Sequence, residues 1–426
     1  MADECPKLRE IVVHTRDGEW GADSPGEGLV PMRVIRGTDF QAARLGDSGA
    51  FPVRYIRFDL AERKTLRPWD LLIETAGGSP ERPTGRTVLI QPRLLKRADL
   101  PVTCASFARF LRIDETRAVP AFVYWYLQYL YSSGEMEQHQ VQHTGIARFQ
   151  FTLFADSTRV LLPSLAQQQA IANILGTLDD KIELNRRMNE TLEAMARALF
   201  ESWFVEFDPV RAKAEGRDPG LPKHLADLFP DSFQDSELGE IPNGWRVARL
   251  GQIADVNWGD TNVTKASYVP AGHRAYSAKG PDGFLPYSDF DRTGVVVSAI
   301  GANCGRTWLA DGKWSCIKNT IRFWATHDGV ATEYLYYATL GSERWPKRGS
   351  AQPFIAQQDA RALPVLLPAN QLARHFGDRV RPLHELIQTN ESQSEVIGTI
   401  RDALLPKLIS GEIRVKDATD ALGKIA

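Results

Sequence analysis

The 426-residue chain contains no run of about 18 apolar residues, the length a membrane-spanning helix needs. Its first ten residues, MADECPKLRE, are polar and charged, unlike a secretory signal, and the expected location is the cytoplasm. Cysteine is scarce. Cys5, Cys104, Cys304 and Cys316 form no C-x-x-C pair, and no histidine stands at zinc-site spacing from them, so reduced thiols are expected and no metal site. Catalytic signatures are missing too. There is no G-x-x-x-x-G-K-[ST] phosphate loop. Asp208-Pro209-Val210 lacks the second proline and the aromatic of an amino-methyltransferase motif. No catalytic residue is therefore assigned.

What is present is an ordinary globular composition, 43% apolar and 24% charged, long enough for two to four domains. The net charge of −2 does not advertise nucleic acid, but its distribution is uneven. Residues 1–160 carry 21 basic and 20 acidic groups, residues 161–239 carry 8 and 14, residues 240–365 carry 14 and 11, and residues 366–426 carry 8 of each. Two mildly basic blocks flank an acidic segment, which permits local phosphate contacts without demanding them.

The chain repeats itself. A shift of 205 places Leu161-Leu162-Pro163 on Leu366-Leu367-Pro368, and Leu178, Ile182 and Asn185 on Leu383, Ile387 and Asn390. Glu190 then falls on Glu395, and Ala198-Leu199 on Ala403-Leu404, with no gap. The preceding blocks echo each other more faintly. Trp20-Gly21 resembles Trp258-Gly259, Gly85-Arg86-Thr87 resembles Gly305-Arg306-Thr307, and SFARF (106–110) resembles NTIRF (319–323). The plan is block, helix, block, helix.

Within the blocks, YIRFDL (55–60), LLIETA (71–76), TVLI (87–90), VVVSAI (295–300) and IRFW (321–324) read as short strands between Gly, Pro, Asp and Asn clusters. Aromatic stretches at 122–131 and 332–341 suit one helix each. Each block is expected to be a small α+β domain. The long segments differ. Ser164 and Gln167 form an S-x-x-Q capping box, and apolar residues recur at 171, 175, 178, 182, 188, 192, 195 and 199. A helix over 165–200 would be roughly 54 Å long. Its second copy is expected from about Asn370 to Leu405, stopped or kinked by Pro406, with Gly411 at the exit.

A long helix with one narrow apolar seam needs a partner with a similar seam, and the chain carries two. The expected seam is Leu178, Ile182, Asn185, Leu192 and Leu199 against Leu383, Ile387, Asn390, Ile397 and Leu404. An asparagine in such a core costs stability but penalises wrong registers, so Asn185 and Asn390 are expected near each other at the crossing of an antiparallel pair. The fold class is thus α+β, with two small domains separated by a long antiparallel two-helix coiled coil. Two unlike domains on a rigid spacer suit a duplex whose turn repeats every 34–36 Å or so, each domain reading its own half-site.

Several stretches resemble one family. LLPSLAQQQAIANILGTLDDKIELNRRMNETLEAMARALFESWFVEFDPVRAKAEG (161–216) closely resembles the central conserved region of type I restriction–modification DNA specificity subunits. LADLFPDSFQDSELGEIPNGWRVARLGQIA (225–254), LLPKLISGEIRV (404–415) and RVIRGTDF (33–40) resemble further parts of them. The opening of the first domain departs from the usual pattern, being reduced to KLREIVV (7–13), and the half-sites are not assignable. The resemblance implies a non-catalytic subunit that reads a bipartite, asymmetric DNA site. It implies docking of two modification subunits, which are adenine-N6 methyltransferases, and of restriction subunits with nuclease and translocase activity. S-adenosylmethionine, ATP and Mg would be bound only by those partners, and this chain would bind no cofactor directly. The implied division is a first target-recognition domain (1–160), a first spacer helix (161–210), a linker (211–239), a second target-recognition domain (240–365), a second spacer helix (366–415) and a tail (416–426). A rival is a two-domain sequence-specific DNA-binding protein acting without methyltransferase partners. A self-sufficient methyltransferase and a structural coiled-coil adaptor stand further off.

Candidate DNA contacts follow from residue type. Arg86 and Arg306 follow glycine-bearing loops where backbone can approach phosphate, and arginine is the best reader of guanine; solvated turn arginines or salt bridges are the alternative. Thr87 and Thr307 adjoin them. Arg36 and Thr38 lie in the RGTDF loop, where an Asx-type turn at Asp39 is an equal reading. Lys279, Asn303, Lys318 and Asn319 complete the set in the second block. Trp203 and Phe204, at the end of the first helix, are read as core or as a partner-docking patch, and Gln167 and Gln168 as capping or partner-binding residues.

Overall fold

The structure is a computed structural model that describes residues 5–78, 82–143, 146–369 and 371–423. The chain forms two compact units, Met1–Asn185 with Ser392–Ala426, and Arg186–Glu391. Each combines an α+β domain with an antiparallel pair of helix segments.

In the first unit a four-stranded antiparallel sheet runs in the order Val12–Asp17, Ala108–Ile113, Leu71–Glu74, Thr87–Leu89. A three-stranded sheet places Leu29–Ile35 between Val53–Arg57 and, in parallel, Val102–Cys104. The aromatic stretch is the helix Pro120–Ser132, opened by a proline whose missing N–H costs nothing in the first turn. It buries Phe122, Val123, Trp125 and Leu127 against Leu8, Ile11, Leu71 and Leu111, and the same core takes in Ile171, Leu175, Leu405, Leu408 and Ile409. YIRFDL is not one strand. It changes at Phe58 from the strand Val53–Arg57 to the helix Phe58–Lys64.

The second unit repeats the plan. Its antiparallel sheet is ordered Ala254–Trp258, Thr320–Ala325, Gly294–Ser298, Thr307–Ala310, matching the first strand for strand. A second sheet pairs His273–Ser277 in parallel with Lys313–Cys316, as Leu29–Ile35 pairs with Val102–Cys104. Val295, Val296 and Val297 are fully buried, as a continuous apolar run in a central strand must be. Residues 211–239, expected as a linker, are folded into this unit. Ala212 and Leu225 are buried, Phe229 joins the unit's core, and Phe233–Ser236 pairs with Gly239–Pro242. The strand Pro364–Leu367 pairs with Arg246–Arg249, so the second spacer segment begins inside the domain.

The long helices are Leu165–Phe204 and Leu372–Ile409. Asn370 lies outside the described residues. The capping box closes both ways: Ser164 N donates to Gln167 Oε1 at 3.2 Å and Gln167 N to Ser164 Oγ at 3.4 Å. Pro406 does not stop the second helix, which continues to Ile409. One backbone hydrogen bond is lost at the proline, while the turn beyond it buries Leu408 and Ile409. In the first unit Asp179 meets Arg401 and Asn185 meets Gln393 and Ser394, so the helix segments run antiparallel. In the second unit Asn189 meets Ile387 and Asn390, and Phe200 meets Phe376, again antiparallel.

Leu178, Ile182, Leu199, Leu383, Ile387, Ile397 and Leu404 are half-buried, as expected where two helices alone cannot enclose a side chain, and Leu192, Asn185 and Asn390 are buried. Met188 and Met195, which the apolar periodicity of the helix includes, are exposed. Past Asn185 the buried face runs through 189, 192, 196, 199 and 203, a 4-3-4-3-4 spacing that keeps a 3.5-residue period and turns 188 and 195 outward. No helix among the described residues is long and apolar enough to cross a membrane.

Candidate nucleic-acid interface

The same loop cluster is built twice, hydrogen bond for hydrogen bond. In the first unit Gly18 N donates to Ala108 O, Glu19 N to Cys104 O, Ala105 N to Ile35 O, Thr75 N to Phe107 O, Glu74 N to Arg86 O and Gly85 N to Glu74 O. In the second, Gly259 N donates to Thr320 O, Asp260 N to Cys316 O, Ile317 N to Tyr276 O, Ala299 N to Asn319 O, Ser298 N to Arg306 O and Gly305 N to Ser298 O. The equivalent positions are therefore Gly18 and Gly259, Ile35 and Tyr276, Glu74 and Ser298, Arg86 and Arg306, Phe107 and Asn319. Two sequence matches are corrected. Gly18 rather than Gly21 is the counterpart of Gly259, and 106–110 falls on 318–322. At both glycines a Cβ would strike backbone, 2.0 Å from Cys104 O and 2.6 Å from Ile317 O. The equivalent cysteines Cys104 and Cys316 are buried, and burial pushes both thiols up to about 12, so neither is a nucleophile.

The first unit's candidates are mostly committed internally. Arg86 Nε donates to Glu74 Oε2 at 2.9 Å and Nη2 to Glu74 Oε1 at 2.6 Å and to Gly37 O at 2.8 Å. This bidentate pair with a buried carboxylate raises the arginine's pKa further and ties the RGTDF loop to the sheet. Thr87 is no surface contact: it is buried, and its Oγ1 accepts from Gln128 Nε2 at 2.7 Å. Arg36 is exposed but forks onto Asp39, whose Oδ2 also accepts from Arg36 N at 2.9 Å, closing the turn. Thr38 is exposed on that turn.

The second unit's candidates are more open. Lys279 and Lys318 are exposed, on the loops after Ser277 and before Asn319. Asn319 has φ 72°, a left-handed conformation that asparagine tolerates, and its carbonyl anchors Ala299. Asn303 is half-buried in the turn whose carbonyl receives Arg306 N. Thr307 is half-buried and donates to Gly305 O at 3.2 Å, so it braces the turn. Arg306 is exposed and lies over the Trp308 ring at 5.6 Å; it makes no ion pair among the described residues. Lys279, Asn303, Arg306, Lys318 and Asn319 thus share one rim of the domain, formed by the loops that the duplicated hydrogen bonds tie together.

The partner-binding candidates are corrected. Trp203 is 2% and Phe204 5% exposed, both inside the second unit's core: Trp203 packs edge-on to Phe229 and Phe204 edge-on to Tyr334, with centroids 5.3 and 4.9 Å apart. Gln168 is buried, receiving Val119 N at 2.8 Å and donating to Pro163 O at 2.8 Å, so it seats the helix start against the domain. Gln167 is exposed but engaged in the cap. Asn185 donates to Gln393 Oε1 at 3.0 Å and to Ser394 Oγ at 3.2 Å, and Asn390 donates to Asn189 Oδ1 at 2.8 Å.

Sequence reasoning missed Glu74 and Asp179. Glu74 ends an apolar strand, and its burial became visible only with its partner. Asp179 takes Arg44 from the short helix Phe40–Leu45 and Arg401 from the second long helix, the latter at 2.6 Å, binding domain and helices together in the first unit. An acidic residue between two apolar seam positions was the available signal.

Residues 99–194 match the family model described as the type I restriction modification DNA specificity domain. A type I restriction enzyme specificity subunit of Methanocaldococcus jannaschii, MjaIX, is 26% identical over 318 residues, covering 68% of this chain and 69% of that protein. The HindI specificity subunit of Haemophilus influenzae is 26% identical over 317 residues, covering 59% and 68%. A crystal structure of a type I restriction–modification S subunit from M. genitalium aligns over 96% of both chains with a TM-score of 0.61 at 16% identity, a likeness of fold.

Proposed function

This chain belongs to the type I restriction–modification DNA specificity subunits, and from that premise we propose that it reads a bipartite, asymmetric site in duplex DNA, one part with each domain. Specificity subunits are the non-catalytic components of these complexes, so methyl transfer and cleavage belong to other chains. The observation that carries the reading is the duplicated loop cluster. One hydrogen-bonded frame is built twice and presents unlike side chains, Arg36, Thr38 and Phe107 in the first unit and Lys279, Arg306, Lys318 and Asn319 in the second. Equal frames with unequal side chains suit two different base sequences.

The partners proposed are two modification subunits and the restriction subunits. S-adenosylmethionine would be held by the former, ATP and Mg by the latter, and none by this chain. Mapping methyl-adenine in the genome of a host carrying this chain with its modification partner tests the proposal. Two short unlike motifs across an unspecified gap are expected, and exchange of residues 1–160 for those of a relative should alter one motif only. A single contiguous motif, or methyl transfer by the purified chain alone, would overturn it.

A further inference from the structure

Arg86 and Arg306 occupy equivalent places in the two frames, yet their surroundings are opposite. Opposite Arg86 stands Glu74, 3% exposed, which holds the guanidinium by two hydrogen bonds. Opposite Arg306 stands Ser298, fully buried, whose Oγ has no hydrogen-bond partner among the described residues. The neighbouring loop differs in step. Ile35 and Tyr276 are equivalent, so Gly37 corresponds to Ala278. A Cβ at Gly37 would lie 2.6 Å from Glu74 Oε1. The glutamate therefore requires glycine there, and the alanine of the second frame is compatible with the short serine.

We propose that the residue at this strand end is a selector: Glu74 confines Arg86 to a structural tie, and Ser298 leaves Arg306 free to contact a backbone phosphate of duplex DNA. The inference rests on the DNA-reading role proposed above. An unpaired guanidinium over a tryptophan face keeps its full charge and its fork of donors, with Lys279 and Lys318 on the adjoining loops adding positive potential. Arg86, neutralised by its carboxylate, offers no such charge. The first frame thus lacks at this position the phosphate contact that the second possesses.

The test measures binding of the full chain to a mixed-sequence DNA duplex across a salt series. Arg306→Ala should weaken binding by about tenfold at low salt and lower the slope of log K against log salt by about one phosphate contact. Arg306→Lys should keep the slope, because a phosphate accepts a lysine. Arg86→Ala should leave the slope unchanged while lowering the thermal midpoint of unfolding. Ala278→Gly with Ser298→Glu rebuilds the first frame in the second and should reproduce the loss seen with Arg306→Ala. Parent-like binding by Arg306→Ala overturns the inference while leaving the DNA role standing. An equal loss with Arg306→Lys overturns the phosphate assignment. Absence of salt-dependent binding by the parent chain overturns the inference and the functional reading together.

Discussion

Asn390 donates its side-chain amide to Asn189 Oδ1 at 2.8 Å, and the same register moved by 205 residues brings Asn185 to Ser394 Oγ at 3.2 Å. The repeat is therefore a repeat of contacts as well as of letters. A shift of either helix by one residue would carry these amides away from their partners and leave them buried without hydrogen bonds, which costs about 1–3 kcal/mol for each group. The asparagines weaken the pair and define its register.

Replacing Asn390 or Asn189 alone by leucine is expected to destabilise the second unit by about 1 kcal/mol, since each change removes the hydrogen bond from Asn390 to Asn189 Oδ1. The double variant should recover most of that loss. Urea unfolding of the three variants measures the coupling, and strictly additive losses would show that the two side chains act independently.

Trp203→Ala and Phe204→Ala should each cost about 3–5 kcal/mol, because both rings fill the core among Phe200, Phe229, Tyr334 and Phe376. A surface docking patch would tolerate alanine with little change in unfolding midpoint, so chemical denaturation separates the two roles directly.

Asp179→Asn should weaken the first unit by about 2 kcal/mol, less than a fully buried pair, because Arg44 and Arg401 keep some access to water. The loss should shrink when Arg44→Met is added, because one of the two guanidiniums left facing the neutral amide is then gone. A cycle of thermal melts at low and high salt reads this out; insensitivity to Asp179→Asn would remove the residue from the account.

His384 predicts an acid sensitivity. Its ring is half-buried beside Tyr336 and Tyr337, with Nε2 3.0 Å from the Tyr337 hydroxyl, and burial holds its pKa below the ordinary histidine value although Glu333 and Glu193 oppose the shift. Unfolding restores the ordinary value, so the unfolded chain takes up protons first as pH falls. The stability tied to a neutral His384 is present above about pH 6.5 and declines as pH drops through that unfolded value. His14 and His139 in the first unit are lowered for the same first cause, burial. His384→Asn should flatten the melting temperature of the second unit between pH 7 and pH 5; an unchanged slope would exclude the histidine as its source.

The helices were legible because their signals are local: a capping box at Ser164, a 3–4 spacing and a 205-residue echo. The outward turn of Met188 and Met195 was not, because two registers fit the same apolar residues and only packing chooses between them. The strands were found where β-branched runs met turn residues, as at Val295–Val297, and misjudged at Phe58, where one apolar run serves a strand and then a helix. Residue type alone could not separate Arg86 from Arg306. What distinguishes them is a carboxylate twelve residues upstream of one and a hydroxyl eight upstream of the other, positions that become neighbours only when the strands pair.

The second unit is one uninterrupted stretch of chain, whereas the first is assembled from both sides of it. Leu405, Leu408 and Ile409 share a core with Leu8 and Ile11. A ribosome therefore delivers the second unit whole while the first still waits for its missing wall, so the domain translated first is the last to close. Damage near the carboxyl end would be felt chiefly by the opposite end of the sequence.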